Sequence, residues 1–416
     1  MNASHELPHS TALPEFASRL PNVGTTIFTV MSALATQTGA VNLGQGFPDF
    51  PCDPRIVDAV SNAMRDGHNQ YPPMSGVAPL RHAIADKIER LYGRKYDADR
   101  EITVTAGATQ ALLTAILCCV HPGDEVVVIE PMYDSYVPAI ELAGGKPVFV
   151  SLDAPDYALP FDKIAAAITP KTRLLMINSP HNPTGRVWRA GDMQKLQEIV
   201  RGTDLLILSD EVYEHMVFDG QSHHSVLAEP ELRERSVAVF SFGKTLQATG
   251  LRVGYAVAPR ALTAELRKVH QFNTFTIATP LQVAIARYLE ERPDCGDGLL
   301  AFLGAKRDRL VDALADSDLS LPRAEGSFFQ LIDYGALSDA PDTQFAEELL
   351  TRARVATIPL SVFYQHPPPM TLLRLCFAKR DETLDEGAAR LRAYLRRRRD
   401  VAPTAVAAVA PPGTGS

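Results

Sequence analysis

The chain has 416 residues, of which 46% are hydrophobic and 22% charged, and its formal net charge is -8 at pH 7. These are ordinary globular values, and a chain of this length is expected to form two or three domains with a core large enough to enclose a site. The mildly acidic balance carries no electrostatic footprint for nucleic acid or for an anionic membrane surface.

The N-terminus, MNASHELPHSTALPEF, has polar residues and prolines where a secretory leader needs a basic start and a continuous apolar stretch. Residues 1–20 and the tail 401–416, VAPTAVAAVAPPGTGS, are expected to be irregular and disordered respectively. The longest apolar run near a helix, Leu112 to Val120 with Thr114 inside it, falls short of the roughly 20 residues that span a bilayer. Five cysteines, Cys52, Cys118, Cys119, Cys295 and Cys376, are odd in number and none stands in a C-x-x-C pair. That favours free thiols in a reducing compartment over a disulfide framework or a zinc site. A soluble cytoplasmic protein is expected, with no metal, nucleic acid or membrane as partner.

Between the ends, short apolar segments alternate with helical patterns: EITVT, DEVVVIE, TRLLMIN, DLLILSD and RSVAVFSF, with ALLTAILCC, MQKLQEIV and LTAELRKVHQ between or after them. Continuous apolar runs of this length predict strands buried on both faces of a mostly parallel sheet, and the alternation predicts a doubly wound α/β domain. From about Glu291 the pattern changes to helices mixed with SFFQLIDY, VATIPL and LLRLCF, which suits a smaller α+β domain. The basic run Arg396 to Arg399 reads as the last turn of a solvated helix. No internal repeat recurs at a fixed period.

In open α/β sheets ligands gather at the carboxyl ends of the strands, so the polar residues closing each apolar run are the candidates. In TVTAGATQALLTAIL a strand meets a small-residue turn and a helix, whose bare amides around Gly107, Ala108 and Thr109 suit a phosphate; an ordinary strand-to-helix turn reads the same way. DLLILSDEVYEH delivers Asp210 and, one turn on, Tyr213; a carboxylate held there needs a cationic or protonated partner, unless Asp210 is simply a helix cap. In SVAVFSFGKTLQATGLRVGYAVAP, Lys244 follows Ser241 and Gly243 and sits between two apolar strands, where desolvation lowers an amine's pKa and makes it nucleophilic toward an aldehyde. Asn182 and Gly185 in MINSPHNPTGRVW read first as turn formers.

Taken in chain order, the N-P-T-G turn, the S-D-E-V-Y strand end and the S-F-G-K segment resemble the class I and II aminotransferases of pyridoxal-phosphate fold type I. The likeness runs from about Leu20 to Leu395, and segments such as VNLGQGFPDF, NQYPPMSGVAPLR and IPLSVF look like the bacterial methionine aminotransferase branch, a relative of kynurenine aminotransferase. The resemblance implies a large cofactor-binding domain at 50–290 and a small domain made of 21–49 plus 291–400. It also implies pyridoxal 5′-phosphate as cofactor, with Lys244 as its Schiff-base lysine and proton-moving base. Asp210 then faces the pyridine nitrogen, Asn182 and Tyr213 the phenolic oxygen, and Tyr133 the ring face. The phosphate falls to Ala108, Thr109, Ser241 and Arg252, with Tyr71 reaching across from a second subunit, which implies a homodimer. Arg374 takes the place of the arginine that grips the substrate α-carboxylate, where Gly44 adds a backbone contact.

Ile27, Phe28, Phe329 and, from the partner copy, Phe275 are candidates to line an apolar pocket that suits methionine, phenylalanine and similar long uncharged amino acids, unless they are core residues. Two departures from the family pattern stand out: Leu251 replaces a bulky aromatic in TGLRVGY, and Gly243 precedes the lysine. The expected reaction is transamination between an L-amino acid and a 2-oxo acid. A cysteine-S-conjugate or cystathionine β-lyase is the alternative on the same fold. A regulator built on this fold would need an N-terminal helix-turn-helix, for which some twenty irregular residues leave too little chain.

Overall fold

The computed structural model describes residues 17–401; the expectations for the chain ends at 1–16 and 402–416 lie outside the described residues. Twelve strands form among them: β1 (Val41–Asn42), β2 (Ile102–Thr105), β3 (Glu125–Glu130), β4 (Lys146–Ser151), β5 (Thr172–Asn178), β6 (Leu206–Asp210), β7 (Ser236–Ser241), β8 (Gly254–Val257), β9 (Phe329–Asp333), β10 (Val355–Ala356), β11 (Ile358–Pro359) and β12 (Leu372–Cys376). Seven of them make one sheet in the order β2-β8-β7-β6-β5-β3-β4, in which β8 alone runs antiparallel to its neighbours β2 and β7.

The apolar runs form strands because helices cover both faces of this sheet. Alternate residues of one strand therefore enter different cores: Val127 and Ile129 pack on one side of β3, Val126 and Val128 on the other. The edge strand β4 was missed in the sequence reading. KPVFVS carries a proline and is mostly only half-buried, so it lacks the continuous apolar signature of the central strands.

Two smaller sheets complete the architecture. β1 pairs in parallel with β10, and β9, β12 and β11 form an antiparallel sheet with β12 in the middle. The first of these pairings joins a segment that precedes the large sheet in sequence to one that follows it. It thereby brings the loop after β1 next to the strands that come last. The basic run lies on the helix Asp381–Val401, but it is not wholly solvated. Arg398 donates to the Leu337 carbonyl at 2.6 Å and to the Ser338 hydroxyl at 3.1 Å, and Arg399 pairs with Asp318 at 3.4 Å. Among the described residues no helix is long and apolar enough to cross a membrane, and no group of His, Cys, Asp and Glu is placed to hold a metal.

Gly254, at the start of β8, sits where the sheet meets the turn before the helix Ala108–Cys119. A Cβ there would lie 2.7 Å from the Phe240 carbonyl oxygen and 2.8 Å from the Ala108 nitrogen, both backbone atoms that cannot swing aside. Gly304 is different: it lies within the helix Asp297–Leu314, and its Cβ would meet only the Phe218 ring at 3.7 Å. Gly254→Ala is expected to lower stability by about 1–3 kcal/mol, and Gly304→Ala to raise it by about 0.5–1 kcal/mol. Urea unfolding midpoints of the two variants check the opposite signs.

Candidate active site

The parallel strands β5 and β6 end side by side, with Asn178 paired to Asp210, and neighbouring β7 ends at Ser241. Asp210 is buried. Its Oδ2 accepts from the Tyr136 hydroxyl at 2.7 Å and its Oδ1 from the Val212 amide at 3.3 Å. Burial pushes the Asp210 carboxyl up to about 6, and the Tyr136 hydroxyl and Val212 amide oppose that rise. Asn178 braces the corner: its amide nitrogen donates to the Asp210 carbonyl at 2.8 Å and its side-chain oxygen accepts from the Asn182 amide at 2.8 Å.

The partner that the sequence demanded for Asp210 is thus a phenol, supplied by a residue that sequence reasoning passed over. Tyr136 follows Tyr133 by three residues at the start of a helix, and their rings meet edge-on at 5.7 Å. Asn178 was visible as the last residue of TRLLMIN; only its position beside Asp210 gives it meaning.

Lys244 lies on a single helical turn, Phe242–Thr245, directly after β7. It is half-buried, its amine donates to the Gly46 carbonyl at 3.3 Å, and the rings of Phe328 and Tyr213 lie 4.9 and 5.6 Å away. Burial lowers the amine to about 8, with the nearby Arg252 and Arg374 charges acting in the same direction.

At the far end of the same cavity the helix Ala108–Cys119 begins, and its first amides have no preceding carbonyl to bond. Its N-cap, Gly107, has φ +81°, and a Cβ there would lie 2.7 Å from Arg252 Nη2, so the guanidinium rests against bare backbone. Arg252 itself holds a left-handed conformation, φ 52°.

Arg374 comes from β12 and is 1% exposed. Its Nη1 donates to Asn182 Oδ1 at 2.7 Å and its Nη2 to the Gly44 carbonyl at 3.1 Å, while Nε is buried with no partner. The rings of Phe329, Phe363 and Phe28 surround it at 3.8, 4.8 and 5.3 Å. Burial lowers its pKa to about 10. A guanidinium this enclosed, with a donor to spare, is suited to a carboxylate from outside the chain.

A cavity of about 420 Å³ collects most of the residues singled out in the sequence: Lys244, Asp210, Tyr213, Asn182, Tyr133 and Ser241, then Ala108, Thr109, Arg252, Arg374, Phe28 and Phe329. Gln45, Gly46, Asp134 and Asn178 also line it and went unnamed. Ile27 does not line it; it packs half-buried against the core. Gly44 is beside the cavity with both backbone groups engaged, its amide donating to Asn42 at 3.1 Å and its carbonyl accepting from Arg374. The expected contact of Gly44 with a substrate therefore finds that amide already in use. Tyr71, 84% exposed, and Phe275 lie outside the cavity on the surface, their rings 5.3 Å apart.

An aldehyde-bearing pyridine with a phosphate arm fits this donor set. There is an amine near neutrality for the aldehyde, a buried carboxylate for a protonated ring nitrogen, and a helix N-terminus beside Arg252 for the phosphate. With Lys244 lowered to about 8, the cofactor-free protein is expected to capture pyridoxal 5′-phosphate at a rate that climbs with pH and levels off above about 8. A rate still climbing toward 10.5, the ordinary lysine value, contradicts this. In linkage terms the folded amine binds its proton less well than the unfolded one. It therefore costs stability below pH 8 and is relieved between 8 and 10.5. Lys244→Met should accordingly raise the melting temperature of the cofactor-free protein at pH 7.

Comparison with known proteins agrees with this chemistry. Residues 38–391 match the family described as aminotransferase class I and II. The chain is 50% identical over 375 residues to the methionine aminotransferase of Escherichia coli (strain K12), covering 90% of this chain and 97% of that protein. It is 40% identical over 385 residues to a probable N-succinyldiaminopimelate aminotransferase of Mycobacterium tuberculosis, with the same coverage of 90% and 97%. The crystal structure of YbdL from Escherichia coli, identified as having a methionine aminotransferase function, superposes with a TM-score of 0.89 at 49% identity, covering 91% of this chain and all of that one. A nucleophilic lysine, a buried aspartate at a strand end and a carboxylate-seeking arginine in one cavity thus meet a family match over most of the chain: it belongs to the class I and II aminotransferases, which transaminate with pyridoxal 5′-phosphate.

Proposed function

We propose that the chain transaminates a long uncharged or aromatic L-amino acid, methionine foremost, against a 2-oxo acid, as a cytoplasmic homodimer. The observation that carries this reading is the placement of the Lys244 amine and the buried Arg374 guanidinium in one cavity walled by Phe28 and Phe329. Methionine is favoured by the identity of 50% to the Escherichia coli enzyme of that name. The cytoplasmic setting is supported by five unpaired cysteines.

When bound, the cofactor supplies an aldehyde for the substrate amine and a ring that accepts electron density from Cα. The rest falls to the chain. Arg374 would grip the α-carboxylate, and Asn182, whose Oδ1 accepts from Arg374, would with Tyr213 hold the phenolic oxygen. Lys244 Nζ, freed by the substrate amine, takes the proton from Cα and returns it on the other side of the transfer; an amine near pKa 8 is poised for both directions. Asp210, with Tyr136 and Val212 on its oxygens, keeps the ring nitrogen protonated. Tyr133 would lie against the ring, and the amides of Ala108 and Thr109 with Ser241 and Arg252 would hold the phosphate. Tyr71 and Phe275 are assigned to the cavity of a second copy; their exposure, beside Phe272 at 90%, supports that placement.

The division into a large domain at 50–290 and a small one at 21–49 plus 291–400 belongs to the same proposal, supported by the β1–β10 pairing. The β-eliminating alternative would use the same cavity residues and is disfavoured because the relatives named above are aminotransferases.

The test is the absorption spectrum of the holoenzyme before and after L-methionine, with no 2-oxo acid present. The visible band of lysine-bound cofactor should give way to a near-ultraviolet band and return when a 2-oxo acid is added. Release of pyruvate and ammonia from a cysteine conjugate without an acceptor would instead mark elimination. Lys244→Ala should cut turnover by at least about a hundredfold. Sedimentation at twice the chain mass checks the dimer.

A further inference from the structure

We infer that Asp134 makes this site selective by charge, turning away substrates whose side chain carries a second carboxylate. The inference rests on the transaminase reading above and concerns which amino acids and 2-oxo acids it admits.

Asp134 follows Tyr133 in the turn before the helix Tyr136–Leu142. It is half-buried and lines the same cavity as Arg374 and Phe28. Its carboxylate turns back on the backbone amides of Asp134 itself and Ser135, and among the described residues no ion pair engages it, whereas the other cavity carboxylate, Asp210, is held by Tyr136 and Val212. Burial raises the Asp134 carboxyl above the usual range, and the charge of Arg374 and the two backbone amides pull it back. An acid kept at the cavity wall with no cation of its own chain in ion-pair contact is expected to act on what enters the cavity.

The cations lining the cavity are Lys244, Arg252 and Arg374. Under the proposed function each is committed: to the cofactor aldehyde, to its phosphate and to the substrate α-carboxylate. A dicarboxylic substrate would therefore bring one negative charge with no cation left for it and would meet Asp134, of the same sign. Every substrate carries the α-carboxylate, so the effect of Asp134 on that group cancels between substrates. What remains is the side chain, where like-charge juxtaposition at the cavity wall discriminates strongly.

The experiment compares Asp134→Asn with the wild-type holoenzyme, using L-glutamate and L-methionine as donors. The ratio of kcat/KM for glutamate to that for methionine should rise at least about tenfold in the variant. A ratio that stays within about twofold, with both substrates gaining or losing together, assigns Asp134 a structural role and overturns the inference. Asp134→Ser is the second variant, in case the amide disturbs the turn. Binding supplies a readout independent of turnover: pentanoate and glutarate share a five-carbon chain and differ in one terminal carboxylate. The wild-type holoenzyme should bind pentanoate at least about tenfold more tightly, and either variant should narrow that gap. Equal binding of the two acids by the wild type overturns the inference. Failure of the wild type to transaminate any amino acid, with the binding difference intact, would sink the transaminase reading alone.

Discussion

A single run of hydrogen bonds crosses the active site and ties the strands after the large sheet to the strand ends within it. It passes from the Gly44 carbonyl to Arg374, on to the Asn182 side chain, through the Asn182 amide to Asn178, to the Asp210 carbonyl, and from the Asp210 carboxylate to Tyr136. The groups come from five separated parts of the chain, so the path exists only once both the large sheet and the β9-β12-β11 sheet are in place. Arg374 and Asp210, the groups proposed to meet the substrate and the cofactor ring, are thereby fixed relative to one another. Transfer of a proton between Cα and a neighbouring atom needs that relation held to a fraction of an ångström.

The same packing leaves three ionisable groups under strain of one kind. Burial pushes Asp210 up to about 6, Lys244 down to about 8 and Arg374 down to about 10, each toward its neutral form. The chain offers only partial compensation: one phenol and one amide for Asp210, one carbonyl for Lys244, and an arginine left with a free Nε. Under the proposed function, a cofactor carrying an aldehyde and a protonated ring nitrogen, together with a substrate carboxylate, would complete all three. The site thus carries an instability that binding relieves, a common feature of functional sites in otherwise well-packed proteins.

The loop after β1 has a part in this that its sequence does not advertise. Successive carbonyls at Gly44, Gly46 and Phe47 accept from Arg374, Lys244 and Lys379, the last at 2.8 Å. Asp49 then receives the Arg380 amide and the Thr383 hydroxyl at 2.5 and 2.6 Å. A glycine-rich segment with little packing of its own is held by cations from β7's exit turn and from the C-terminal region. The parallel β1–β10 pairing sets its starting point, and Gln45 and Gly46 of the loop line the cavity.

The sequence by itself determined the sheet and the chemical character of its strand ends. TRLLMIN, DLLILSD and RSVAVFSF form strands because both faces are buried, which is why their apolar runs are unbroken, and the polar residues that end them, Asp210 and Ser241, have to face the cavity. Lys244 was legible for the same reason, since a lysine among small residues between two such strands has no solvent to reach. The tertiary structure alone decided the partners. Tyr136 and Asp210 are 74 positions apart and Arg374 and Asn182 are 192 apart, separations at which no local pattern carries a signal. It also decided that Gly44 serves the arginine, that Asp134 lines the cavity, and that β4 completes the edge. Local sequence sets which way a residue must point through the periodicity of burial; which group it meets there depends on how distant segments pack, and hydrogen bonds record only the outcome.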